Sequence, residues 1–471
     1  MVFSSPEFLF IFLPAAGLLL LASHKSVNIQ NIILVCVSLV FYAWGNPAHV
    51  LLLLASILAN YAFARLIEKS AESAESGAAG RRKTVLTTCV AMNIFSLCAF
   101  KYAGFLAANL NLIPGVNIPA PDIRLPVGIS FYTFQIISYL VDVGSGKHKA
   151  QRNIIKFALY ISLFPQLIAG PIIRYGDIEG MLSARSPAIE DVAYGLRRFI
   201  FGLSKKLLVA NPIGGVADAA FSFVSPSTPV AWIGAVAYTL QIYFDFSAYS
   251  DMAIGICGMF GFKVPENFDY PYSARGLRDF WRRWHMSLST WFRDYVYIPL
   301  GGNRRGKLRE TLNKTAVFFL TGLWHGASWT FIVWGLFHGF FITLETFNVF
   351  RTRKWPRFVA WLYTMLVVVA GFVIFRSPTL ADALRMLTSM FAGFAAGNAN
   401  DHMAQAIALF NPSVIPALAA AVLAVFPLKR VIETRLPKLQ LAGFLLTAPL
   451  FFLCVLSLAT ATYNPFIYYR F

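Results

Sequence analysis

The chain has 471 residues, of which 57% are hydrophobic and 13% charged, and its mean hydropathy is +0.61. Soluble domains carry about 25% charged residues, and many apolar runs here are long enough to cross hydrocarbon, which takes about 20 residues. The formal charge of +18 sits in short Lys/Arg clusters between those runs. This is the positive-inside pattern of a polytopic membrane protein and not the basic tail of a nucleic-acid binder.

Residues 6–22 have the apolar character of a signal core, but Lys25 follows them and no basic residue precedes them. That charge order predicts an uncleaved first span with its N-terminus outside. Further spans are expected near 30–46, 48–67, 84–105 and 126–143. The links with Lys25, with Lys69, Arg81, Arg82 and Lys83, and with Lys147, Lys149 and Arg152 then fall inside. Residues 70–80 read as a flexible cytoplasmic loop. Residues 153–172 are apolar but broken by Pro165 and Gly170-Pro171, which predicts a re-entrant segment. Such backbone survives at membrane depth only when buried in protein or lining a wet cavity.

Spans near 198–222 and 230–260 follow, then a cytoplasmic stretch over 263–314. Residues 271–314 alone hold ten Lys/Arg against three Asp/Glu. Residues 315–347 are again apolar with basic clusters at both ends, so the segment should climb and return, turning near Gly322–Gly326. Spans near 358–375, 413–428 and 440–462 complete about ten crossings plus two partial ones, leaving the C-terminus outside. The expectation is an all-α integral-membrane bundle forming one domain over 1–471. No inverted repeat of the transporter kind is visible.

His325 lies in FFLTGLWHGASWTF (318–331). Eleven residues of helical rise from Lys314 put its ring about 16 Å above the cytoplasmic edge, near the midplane of a core about 30 Å thick. An ionisable side chain at that depth is read first as functional, and imidazole shuttles protons near neutral pH. Hydrogen bonding between helices is the plainer alternative. Gly322 and Gly326 are expected to loosen the helix and make room beside the ring.

His338 is thirteen residues on, about 220° around a continuous helix, which argues against a metal shared with His325. No HExxH or carboxylate cluster accompanies them. The five cysteines have no CxxC spacing, so they indicate neither a metal knuckle nor a disulfide framework. No GxSxG elbow, Walker loop or GxGxxG is present, which speaks against a serine hydrolase or a nucleotide-driven pump.

The stretch ARGLRDFWRRWHMSLSTWFRDYVYIPLGGNRRGKLRE (274–310) suits an interfacial amphipathic helix. Trp281, Trp284 and Trp291 would sit at headgroup depth, with Arg278, Arg282 and Arg293 snorkelling. His285 and Ser289 are four apart and would share a helix face. PLGGNRRG, with Asn303, reads as a turn presenting Arg304 and Arg305. Guanidinium forks match phosphate oxygens, so the loop could dock an acyl-CoA. Membrane anchoring explains the same residues equally well. Asp245 and Asp251 in YFDFSAYSD favour structural ion pairing over an acid-base pair. Tyr132, Gln135 and Asp142 in LPVGISFYTFQIISYLVDV suit either a lined tunnel or packing.

MVFSSPEFLFIFLP, LPVGISFYTFQ, FPQLIAGPIIRY, FWRRWHMSLSTWFRDYVYIPLGG, LTGLWHGASWTFIVWGLFHG and YNPFIYYRF together resemble the membrane-bound O-acyltransferase superfamily, and within it the bacterial alginate O-acetyltransferase branch. The resemblance runs nearly the whole length in order. It implies a helical bundle with re-entrant helices, pierced by a tunnel joining cytoplasm and outside, in a bacterial inner membrane. The family's catalytic histidine aligns with His325, and its second characteristic histidine with His285. The implied reaction moves acetyl from a cytoplasmic thioester, acetyl-CoA or an acyl carrier, to a hydroxyl. The acceptor would be an exopolysaccharide such as alginate, or a periplasmic SGNH-type partner acetyltransferase. No permanently bound cofactor is implied.

On this reading 263–314 is the donor side, with Arg278, Arg282, Trp284, Ser289, Arg293 and Asn303. Residues 315–347 are the catalytic-histidine segment, with Trp324 and Trp329 walling a dry pocket. Burial would keep His325 neutral, ready to act as general base. Acetylation of another envelope glycan (cellulose or peptidoglycan) is the nearest alternative. A non-enzymatic channel or secretion scaffold is the other.

Overall fold

Apolar sequence without water as a backbone partner leaves helix as the available structure. The computed structural model describes residues 1–72, 78–119, 121, 123–350, 352–392, 404, 406–410, 412–427 and 445–460, and among them there is no strand. Arg351, the YNPFIYYRF ending, the centre of the 70–80 loop and parts of the spans expected at 413–428 and 440–462 lie outside the described residues. The helices are α1 (Leu13–Ala22), α2 (Val27–Ala43), α3 (Pro47–Glu72), α4 (Ala78–Leu110), α5 (Ile129–Gly144), α6 (Ile154–Ser162), α7 (Phe164–Leu167), α8 (Tyr175–Ile178), α9 (Ile189–Ser204) and α10 (Asn211–Ser222). They continue with α11 (Thr228–Met259), α12 (Leu277–Arg283), α13 (Met286–Phe292), α14 (Gly306–His325), α15 (Trp329–Thr346), α16 (Arg357–Arg376), α17 (Leu380–Ala392), α18 (Val414–Val425) and α19 (Thr447–Thr460).

Among the described residues, Pro47–Ser70, Ala79–Leu110 and Arg357–Arg376 are long and apolar enough to cross a bilayer. Phe8–Ala22, Val27–Ala43, Val414–Val425 and Thr447–Thr460 are shorter apolar helices. The figure of about ten crossings therefore rests on hydropathy alone.

The chain divides into two compact units, Met1–Phe199 with Met252–Pro265, and Ile200–Asp251 with Glu266–Phe471. In the first unit α5 is buried along nearly its whole length. Gly128 caps it at φ +79°, and a Cβ there would come within 2.2 Å of the Leu167 carbonyl oxygen, so only glycine fits. The predicted break in 153–172 falls at Leu163, between α6 and α7, and the segment is buried on either side of it. Asn60 on α3 and Asn93 on α4 exchange amide hydrogen bonds of 3.1 and 2.7 Å. That pairing fixes the register of two helices whose apolar surfaces alone would slide.

In the second unit α14 and α15 form a hairpin that turns at Gly326–Ser328, at the C-terminal end of the Gly322–Gly326 break expected from the sequence and not across it. Gly322 does not serve mainly to loosen the helix, as expected. A Cβ on it would meet the Phe331 carbonyl oxygen at 2.4 Å, so it lets the two backbones touch. Ser328 caps α15 by accepting from the Thr330 N–H. At the far end of α15, Glu345 accepts from the Leu277 N–H (2.7 Å) and the Arg278 N–H (3.3 Å). Its carboxylate thus closes the N-terminus of α12.

The stretch expected to be one interfacial helix is two short helices broken at Trp284–His285. Trp284 and Trp291 are buried against protein and do not face outwards as an interfacial helix would present them, because ring partners hold them in the core. Asp245 and Asp251 are ion-paired as expected, but with lysines. Lys206 Nζ lies 2.6 Å from Asp245 and Lys205 Nζ 2.6 Å from Asp251. The π-helical turn Lys205–Ala210 presents these two neighbouring lysines to α11.

Candidate functional site

His325 is the last residue of α14, and the Gly326 N–H closes that end on the Leu323 carbonyl at 3.2 Å. The carbonyl end of a helix favours positive charge, the charge a general base acquires. The ring is 3% exposed. Trp324, Trp334 and Phe375 stand edge-on around it, at centroid distances of 5.0, 5.0 and 5.2 Å. Trp334 in turn packs on His338 at 5.3 Å, and His338 on Trp281 at 5.1 Å. Gly371 on α16 makes the space for His338, since a Cβ there would lie 2.5 Å from Nε2.

The arrangement is a buried imidazole in an aromatic enclosure. Trp324 is buried beside His325. Trp329 is not part of the enclosure, being 52% exposed because it opens α15 on the outward side of the turn. Trp334, five residues on, takes that place.

His285 sits at the α12–α13 junction with φ +43°, a left-handed conformation rare for a residue with a Cβ and characteristic of functional sites. Its Nδ1 lies 3.1 Å from Asn267 Oδ1, which assigns the proton to Nδ1 and leaves Nε2 as an acceptor. Asn267 also accepts from Ser287 Oγ at 2.9 Å and donates to Ser250 Oγ at 3.1 Å. Phe246 closes one side of the ring at 4.7 Å, and Trp324 stands 5.9 Å away. Trp324 therefore lies between the two imidazoles. Complete burial pushes the His285 imidazole down to about 3, so it stays neutral at physiological pH.

The other expected residues are scattered around this pair. Ser289 turns its hydroxyl back to the Trp284 carbonyl at 3.4 Å and not towards His285; Ser287 is the serine beside that ring. Trp284 belongs to the aromatic core with Phe280 and Phe372. Arg278 donates to Thr346 Oγ1 at 2.6 Å, and Arg293 is bidentate on Asp294 at 2.6 and 3.2 Å. Arg282 is exposed, as are Asn303, Arg304 and Arg305 in the turn. Asn313 holds that turn by donating to the Gly302 carbonyl at 2.9 Å. Sequence reasoning missed Asn267, Phe246, Trp334 and Phe375. Only the tryptophan and phenylalanine richness around the histidines hinted at them.

The described structure is a helical protein with a buried histidine at a helix end, and comparison defines the class. The family model described as MBOAT, membrane-bound O-acyltransferase family, matches residues 143–379, spanning both histidines. The chain belongs to this family and is a multi-pass membrane-bound O-acyltransferase. It is 42% identical over 402 residues to the probable alginate O-acetylase AlgI of Azotobacter vinelandii, covering 83% of this chain and 78% of that one. It is 36% identical over 425 residues to the peptidoglycan O-acetyltransferase of Helicobacter pylori (83% and 80% covered). It is 30% identical over 301 residues to the teichoic acid D-alanyltransferase of Bacillus subtilis (59% and 75% covered).

Proposed function

We propose that this chain transfers acetyl from a cytoplasmic thioester to a hydroxyl on the far side of the inner membrane, serving an exopolysaccharide of the alginate type. The observation that carries the proposal is the His325 ring, 3% exposed among Trp324, Trp334 and Phe375 at a helix C-terminus. His325 takes the proton of the acceptor hydroxyl as its oxygen attacks the thioester carbonyl. The tetrahedral adduct then collapses, and the leaving thiolate takes that proton back. Base catalysis of this kind contributes about 10²–10⁴-fold, and the dry enclosure limits loss of the thioester to water.

Residues 263–314 are the donor side and 315–347 the catalytic segment. His285 Nε2 accepts a hydrogen bond from the donor. Arg282, with Arg304, Arg305 and Asn303 of the turn, meets its phosphates, while Arg278 and Arg293 hold the local structure. The acceptor is the polymer itself or the serine of a periplasmic partner acetyltransferase. The names of the AlgI relatives support the alginate-type acceptor. The Helicobacter relative, covering the same share of this chain, supports peptidoglycan as a second reading.

The test is purified protein with labelled acetyl-CoA and either acceptor. His325→Ala should keep its fold and lose transfer by at least a hundredfold. Full activity in that variant removes the proposed base.

A further inference from the structure

On the first unit, well away in sequence from His285 and His325, Ala62, Arg65, Leu66 and Lys69 have the i, i+3, i+4, i+7 spacing of one helix face. They form one stripe on α3. With Glu68 and Arg152 they line an open groove of about 560 Å³, within the usual range for ligand sites of about 300–1,000 Å³. The floor is apolar (Ala62, Leu66) and the rim carries three cations. Among the described lining residues the one carboxylate, Glu68, accepts from the Ala150 N–H at 3.0 Å.

Arg152 is exposed, yet its backbone is held. Ala150 N–H goes to Glu68, Gln151 N–H to Tyr139 Oη at 2.7 Å, and the Arg152 carbonyl accepts from Tyr61 Oη at 2.6 Å. Three successive residues are thereby pinned, so the guanidinium projects from a fixed base while remaining open to solvent. This preorganisation separates the site from an ordinary basic link between spans.

The depth is also set. The span containing the stripe is Pro47–Ser70. Eighteen residues from Pro47 to Arg65 rise about 27 Å, so Arg65 and Lys69 emerge where a core about 30 Å thick gives way to headgroups.

We infer that this groove binds an anionic phospholipid, its phosphate between Arg65, Lys69 and Arg152 and an acyl chain along Ala62 and Leu66. Guanidinium forks match phosphate oxygens. An apolar floor continuous with a spanning helix suits a chain that remains in the bilayer.

The test uses the full-length protein purified in neutral detergent, with phosphatidylglycerol or phosphatidylcholine added back. Lipid retention is read by native mass spectrometry and stability by the apparent unfolding temperature. Phosphatidylglycerol should be retained and raise the unfolding temperature by several degrees, while phosphatidylcholine should do neither. Arg152→Gln, whose backbone anchors are untouched, should weaken phosphatidylglycerol retention about tenfold, and Arg65→Gln with Lys69→Gln should abolish it. Lys25→Gln, in another basic link, should behave as wild type. Equal retention of the two lipids, or unchanged retention in Arg152→Gln, overturns the assignment. So does a shift reproduced by millimolar glycerol phosphate, which would make the ligand a soluble phosphate ester.

Discussion

Replacing Asn267 by aspartate tests how the protein holds His285. Asn267 Oδ1 is 3.1 Å from His285 Nδ1, and the ring is 1% exposed. Burial takes the folded pKa to about 3, against about 6.5 when unfolded. Between those values the unfolded chain binds the extra proton, so stability rises with pH and is lost as pH falls below about 6.5. At pH 5 this one group costs about 2 kcal/mol relative to neutral pH, at 1.36 kcal/mol per unit. Asn267→Asp keeps the acceptor geometry and adds an opposite charge within hydrogen-bond reach, which raises the pKa of the imidazole. The variant should lose stability at pH 7.5 through its buried carboxylate, yet show a smaller further loss on going to pH 5. Tryptophan fluorescence melts in detergent at several pH values supply the measurement, with His285→Phe as the reference lacking the titration. If wild type, Asn267→Asp and His285→Phe lose equal stability between pH 7 and 5, a buried neutral His285 is not what sets the acid sensitivity.

Gly371→Ala places a methyl 2.5 Å from His338 Nε2. It should destabilise by about 1–3 kcal/mol, as overpacking does, and lower transfer activity by tilting Trp334 against His325. Adding His338→Ala should recover part of the stability, and strict additivity of the two losses in melting experiments would contradict the contact. Lys206→Met removes the ammonium 2.6 Å from Asp245, whose side chain is 1% exposed, and breaking a buried ion pair from one side costs about 3–5 kcal/mol. The double variant Lys206→Met with Asp245→Leu should be markedly less damaged, because removing both charges removes the desolvation penalty. A double variant as unstable as the single one would mean that the pair is not what holds α11 there.

What the sequence determined by itself is the part governed by local pattern and bulk solvent. Apolar runs, the scarcity of charge and the basic links made the chain an all-helical membrane protein. Gly326 marked the start of a turn, and His325 stood out because an imidazole at that depth is costly. Those inferences need only a residue and its near neighbours in the chain.

The tertiary structure decided which side chains meet. Asn267 reaches His285 across 18 positions and Glu345 reaches Leu277 across 68, distances over which no helical period carries information. The interfacial-helix expectation failed for the same reason. Amphipathic spacing cannot tell a tryptophan facing headgroups from Trp284, whose partners Tyr243, Phe268 and Phe372 come from other segments. Trp329 and Trp334 are equivalent as letters in a tryptophan-rich run. Only the packing of α16, which brings Phe375 beside His325, made Trp334 the wall and left Trp329 outside.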